Sequence, residues 1–123
     1  MVLGSYSDKC NISLITQKRK GIGGPTPEIA KLKGKRYVSM DEPSKGDELN
    51  EGIMKQLTGG DEIEGRGMYE KKMVKFIPQF TLVCSTNNPF EIKSNDQGTW
   101  RRIKNVPYNA EFVDPEIMQQ KIA

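Results

Sequence analysis

Two short runs in the 123-residue chain each stop on a polar cluster: residues 35–40 (KRYVSM) at Asp41-Glu42-Pro43, and residues 80–85 (FTLVCS) at Thr86-Asn87-Asn88-Pro89. Proline lacks the N–H that a strand ladder needs, so each run predicts a buried strand with a fixed end. Between them, residues 47–57 place Leu49, Ile53, Met54 and Leu57 on one stripe, which predicts a helix. Thr58-Gly59-Gly60 ends it. Strands separated by helices favour a three-layer α/β fold with a mainly parallel sheet. In such a sheet a ligand site lies beyond the carboxyl ends of the strands. Both polar clusters fall at such ends.

The rest of the chain fits that frame. Residues 11–16 (NISLIT) are β-rich and predict a strand. A basic, glycine-rich loop follows at 18–24. Thr26, Pro27 and Glu28 then supply a cap, a first-turn proline and a first-turn acid for a helix over 27–33 that stops at Gly34. Residues 61–65 and 73–77 bracket a charged, glycine-containing turn and predict a hairpin. Residues 96–100 read as a loop and 102–106 as a strand. A last helix, capped by Asp114, is expected over 115–122. The length suits one domain.

Composition removes whole classes of chemistry. The chain has no His, which excludes His-based acid–base catalysis, a Ser-His-Asp triad and the usual zinc sites. Cys10 and Cys84 form no C-x-x-C pair and read as reduced core thiols in a cytosolic protein. Neither a signal-type leader nor a run long enough to span a membrane is present, so no membrane partner is expected. The net charge of +3 hides blocks: +6 over residues 1–40, −6 over 41–70, +5 over 71–104 and −2 over 105–123. Blocks of this kind fit a solvated surface, or a carboxylate cation site set apart from anion-binding surfaces.

Three groups carry candidate chemistry. Asp41 can hold Mg²⁺, directly or through water, because hard cations take oxygen ligands. Glu42 can orient or deprotonate a water attacking a γ-phosphate. Taken alone, the pair reads first as a strand-to-turn boundary, since an apolar run ending in Asp-Glu is common by chance. The Asn87 amide can position a water or touch a phosphate oxygen, or it can form an Asx turn before Pro89. Arg101 and Arg102, after Trp100, can grip phosphate bidentately or sit in surface salt bridges.

In this order and spacing, the stretches 27–43 (PEIAKLKGKRYVSMDEP), 49–69 (LNEGIMKQLTGGDEIEGRGMY), 76–89 (FIPQFTLVCSTNNP) and 98–107 (GTWRRIKNVP) resemble one family. It is the superfamily 3 helicases, of the phage, plasmid and large-DNA-virus primase-helicase type. The resemblance implies part of a P-loop NTPase (AAA+-like) fold with an inserted β-hairpin, working on ATP with Mg²⁺. Asp41 and Glu42 fall on its Walker B acids, and Asn87 on its sensor-1 Asn. Arg101 or Arg102 falls on its arginine finger, which acts on ATP held by a neighbouring subunit; Arg101 is preferred, though nothing in the sequence separates the two. The hairpin would bring Arg66, Tyr69, Lys71 and Lys72 to single-stranded DNA, where charge tracks phosphate and a ring can stack on bases. A solvated, Lys-rich turn is the simpler alternative. The family assembles as homo-oligomers, generally hexamers.

The family's phosphate loop, G-x-x-x-x-G-K-[ST], does not occur in the sequence, and the Gly21–Gly24 cluster does not complete it. The chain therefore reads as part of a larger ATPase domain whose phosphate-loop strand would lie between the Asn87 strand and the 102–106 strand. On that reading the isolated chain is marginally stable and does not hydrolyse ATP. Two other functions remain open from sequence: a non-catalytic DNA-binding or oligomerisation module, and a non-helicase AAA+-like initiator.

Overall fold

The strand leading to Asp41 is central. In a computed structural model describing residues 2–16, 26–87, 91–93, 95–110 and 112–116, a three-stranded parallel sheet runs in the order β1 (Ser7–Cys10), β2 (Tyr37–Met40), β5 (Thr81–Cys84). β2 has the composition a central strand needs. Val38 and Met40 are buried on one face, and Tyr37 and Ser39 are half-buried on the other.

Parallel neighbours require crossovers, and the helices supply them. α1 (Ser13–Thr16) and α2 (Pro27–Ala30) lie between β1 and β2. α3 (Glu51–Thr58) and an antiparallel hairpin, β3 (Ile63–Gly65) with β4 (Val74–Phe76), lie between β2 and β5. A single turn, α4 (Gln97–Trp100), follows β5. The expected α/β class, parallel sheet and hairpin are all present.

The predicted stripe on α3 forms part of the core, with Leu49, Ile53, Met54 and Leu57 all buried. The helix begins later than its periodicity suggests, because Asn50 caps it: Asn50 Oδ1 accepts from the Ile53 N–H at 3.2 Å. Residues 47–49 pair instead with Glu91, whose carbonyl accepts from the Leu49 N–H and whose N–H donates to the Asp47 carbonyl, both at 3.1 Å. α2 is likewise shorter than 27–33, and the chain turns through Gly34 at φ +78°. The Thr26 hydroxyl does not cap α2. It accepts from the Arg66 N–H at 2.9 Å, while the Thr26 N–H donates to the Arg66 carbonyl at 2.8 Å. The hairpin is thereby stitched to the start of α2.

Three expectations are corrected. Residues 11–16 are not a strand. Asn11 Oδ1 accepts from the Ser13 N–H at 2.9 Å, an Asx turn that ends β1 and starts α1, and Ile12 and Ile15 are buried one helical turn apart. The real strand is the polar SDKC segment before it. Residues 96–100 are not a loop, because Asp96 caps α4 by accepting from the Gly98 N–H at 2.9 Å. Residues 102–106 form no strand, because a strand needs a ladder partner and a cavity separates this segment from β5. The expected loop at 18–24 lies outside the described residues, as do Asn88, Pro89 and the final helix beyond residue 116. Among the described residues no helix is long and apolar enough to cross a membrane.

Candidate functional site

Strand register brings the polar clusters together. Met40 is level with Cys10 on one side and with Cys84 on the other, so all three parallel strands stop along one edge. Pro43, buried just past this edge, ends the ladder and leaves Asp41 and Glu42 exposed on it.

Glu42 is held from the next strand. Its Oε1 accepts from the Asn87 backbone N–H at 3.1 Å and from the Thr86 hydroxyl at 3.4 Å. Its Oε2 takes no hydrogen bond from any described residue. Such a carboxylate is oriented yet keeps one oxygen for a water or a ligand. The Asn87 contact is made by the backbone, so the side-chain amide is not used up in holding Glu42.

Asp41 faces the other neighbour. Lys9 Nζ lies 2.6 Å from Asp41 Oδ1, with both side chains more than half exposed, a setting in which an ion pair contributes at most about 1 kcal/mol. The Cys84 thiol donates to the Asp41 carbonyl at 3.6 Å. Burial pushes this thiol up, and the nearby Glu42 and Asp41 charges push the same way, so Cys84 stays protonated at neutral pH. Among the described residues no three Cys, Asp or Glu side chains are grouped to hold a metal.

A cavity of about 690 Å³ opens beside Glu42 along the edge of β5 turned away from β2, and residues 104–106 and Tyr108 form its other wall. Its length follows β5 and the residues just after it, from Thr81 to Asn87.

The arginines stand elsewhere. Neither Arg101 nor Arg102 bonds to the carboxylates among the described residues. Both follow α4, which docks on the end of α3: Lys55 pairs with Asp96, and Arg102 Nη1 donates to Thr58 Oγ1 at 3.4 Å. The Asp96 carboxyl is held below its usual range, first by the Lys55 hydrogen bond and then by the Gly98 N–H.

The hairpin turn spans residues 66–73. Lys71 and Lys72 are exposed there, and Tyr69, at φ 61°, is 98% exposed between them and Met68. Arg66 differs from the other three: it is half-buried at the base of the turn, where it pairs with Thr26. Sequence reading thus found Asp41, Glu42 and Asn87 as one cluster, but missed Lys9 and Thr86. Lys9 was invisible because its strand is too polar to recognise. Thr86 stood in the named cluster without a role, because only the register shows that it reaches Glu42.

No protein-family model matches the chain. The chain is 42% identical over 111 residues to the putative helicase L207/L206 of Acanthamoeba polyphaga mimivirus. It is 33% identical over 117 residues to the putative helicase 022R of Frog virus 3, and 33% identical over 113 residues to the putative primase C962R of an African swine fever virus isolate. These alignments cover 90–93% of the chain, which spans 12% of the length of each relative.

Proposed function

We propose that this chain is part of the ATP-hydrolysing motor of a DNA helicase used in viral genome replication, of the superfamily 3 primase-helicase type. One observation carries the reading. Parallel, in-register strand ends place Asp41, Glu42, Thr86 and Asn87 on one edge, and Glu42 is held through a single oxygen at the mouth of a cavity. Similarity to proteins named putative helicases and a putative primase of large DNA viruses supports the same role.

The donor set fits Mg²⁺ with nucleotide. Mg²⁺ is bound by one or two carboxylates, and the remaining oxygens come from phosphates and water. The exposed Asp41 offers one such carboxylate, so a cage of several protein ligands is not required. Bound Mg²⁺ would neutralise charge on the phosphates. Glu42, oriented by the Asn87 N–H and the Thr86 hydroxyl, would take the proton of the attacking water on its open oxygen. The Asn87 amide would contact the γ-phosphate. An arginine after α4 would act on the nucleotide of a neighbouring subunit in a homo-oligomeric ring. The edge of β5 turned away from β2, unpaired among the described residues, and the cavity beside it would give the phosphate-loop strand of this reading a place to pair. Tyr69, Lys71 and Lys72 would meet single-stranded DNA, with Arg66 supporting the turn from its base.

The test is Glu42→Gln in the intact protein. Gln keeps the size and an acceptor oxygen but cannot take a proton. ATP hydrolysis is expected to be lost while nucleotide binding persists. Turnover at the wild-type rate would overturn the assignment.

A further inference from the structure

Two adjacent arginines follow α4, and the structure gives them different situations. Arg102 is engaged: Nε donates to the Gly98 carbonyl at 3.0 Å and Nη1 to Thr58 Oγ1 at 3.4 Å. Nη1 also lies 3.5 Å from where a side chain on Gly59 would begin, so the guanidinium is laid across the end of α3. Beside it, Lys55 on α3 pairs with Asp96, the residue that caps α4. Thr99 anchors the same turn, fully buried. Arg101 is exposed and lies in no salt bridge among the described residues; its charge acts on the Asp96 carboxyl as a weaker influence than the Lys55 hydrogen bond.

We infer that Lys55, Asp96 and Arg102 form a latch that fixes α4 on the end of α3, and that the latch positions Arg101 as the arginine presented to a neighbouring subunit's nucleotide. This rests on the ATPase reading above and separates two residues that the sequence leaves equivalent. Arg102 is a positioning residue. Its planar fork spends two donors on Gly98 and Thr58, and a Lys could not make both bonds. Because α3 continues through Gly59-Gly60 into the hairpin, the latch also ties the Arg101 turn to the element proposed to meet DNA.

The experiment compares steady-state ATP hydrolysis by the intact protein and its variants. Arg101→Ala is expected to lower kcat by about 10³-fold or more, as loss of an arginine finger does. Asp96→Asn keeps the shape and the capping oxygen but removes the charge. It is expected to lower kcat by roughly 10- to 100-fold through misplacement of Arg101, with KM within about threefold of wild type. Lys55→Met leaves the Asp96 cap in place and removes only the link to α3; it is expected to lower kcat in the same range, and the double variant Lys55→Met with Asp96→Asn to fall little further than Asp96→Asn alone, a non-additivity that two residues serving only general stability would not show. Mixing Arg101→Ala subunits with Glu42→Gln subunits is expected to restore turnover, since each mixed interface can hold one intact Glu42 and one intact Arg101.

The failures are distinguishable. Hydrolysis by Glu42→Gln at the wild-type rate removes the ATPase reading and the latch with it. A dead Glu42→Gln beside an Asp96→Asn variant with wild-type kcat removes the latch alone. If Asp96→Asn loses its fold by circular dichroism, Lys55→Met decides: a folded variant with lowered kcat supports the latch, and a folded variant with wild-type kcat overturns it. An Arg102→Ala loss as large as that of Arg101→Ala, with no complementation by mixing, overturns the division between the two arginines.

Discussion

Seating of the hairpin depends on a single missing side chain. Gly65 ends β3 where the strand crosses α2, and a Cβ there would stand 2.7 Å from the Ala30 backbone nitrogen and 3.0 Å from Ile29 Cγ2. The first contact is with helix backbone, and the second is with a side chain that is itself buried, so neither can swing aside. In Gly65→Ala the hairpin must lift from α2. Overpacking of this kind costs about 1–3 kcal/mol. The lift also strains the two hydrogen bonds between Thr26 and Arg66. At tenfold per 1.4 kcal/mol, local opening becomes roughly 5- to 150-fold more frequent. Amide hydrogen exchange of peptides covering residues 26–30 and 63–76 reads this directly, alongside single-strand binding. Gly67→Ala is the control. The three atoms nearest to a Cβ there all belong to the Glu70 carboxylate, the first at 2.8 Å, and this is the far end of a flexible side chain that can rotate away. Gly65→Ala is expected to accelerate exchange and weaken DNA binding, and Gly67→Ala to do neither. Equal effects from the two variants would refute the packing argument.

Three further outcomes follow from the contacts around the site. Asn50→Ala removes the α3 cap and is expected to cost about 0.5–2 kcal/mol, seen as faster exchange in the first turn of the helix. Asp96 has a lower pKa folded than unfolded, so its contribution to stability is complete above its ordinary value of 3.8 and is lost as pH falls through the lowered value. Acid denaturation of Asp96→Asn is therefore expected to show less dependence on pH across that window. The Cys84 thiol, raised by burial and then by Glu42 and Asp41, is expected to alkylate slowly at neutral pH. Glu42→Gln removes one of those charges, so the variant's alkylation rate at fixed pH should rise; an unchanged rate would place Glu42 too far away to act on the thiol.

What could be read from the sequence divides along a physical line. β2, β5, α3 and the hairpin were legible because their side chains repeat the burial pattern of the element: Val38 and Met40 alternate into the core, and Ile53, Met54 and Leu57 share one helical stripe. β1 was not legible. Ser7, Asp8 and Lys9 have little strand propensity, and the segment is a strand because β2 offers it a parallel ladder. The apolar residues just after it, Ile12 and Ile15, then look like the strand, since six residues are too few to separate a period of two from one of three or four. Segment 102–106 failed for the opposite reason: its residues suit a strand, but among the described residues nothing pairs with it. The Asp41, Glu42 and Asn87 cluster was readable because parallel strands end level with one another. The different situations of Arg101 and Arg102 were not readable, because they depend on Thr58 and Lys55 of α3, 44 and 41 residues from their partners in sequence and brought to α4 only by the fold.

The Lys9–Asp41 pair bears on whether the proposed cation site can work. A buried pair would oppose an incoming cation strongly, since separating it would strand a charge in a poor solvent. This one is exposed on both sides, where screening limits it to at most about 1 kcal/mol. That is less than one factor of ten in affinity. A lysine so placed hardly obstructs Mg²⁺, and it supplies a positive charge beside Asp41 that a nucleotide phosphate can use once the carboxylate turns to the metal. Lys9→Ala separates the two effects. If the lysine mainly competes, nucleotide affinity measured at limiting Mg²⁺ rises by up to several-fold. If it mainly assists the phosphates, affinity falls whether or not Mg²⁺ is present. The structure favours the second outcome, because the ion pair is too weak to be worth removing and Lys9 sits on the same strand-end edge as Glu42 and Asn87.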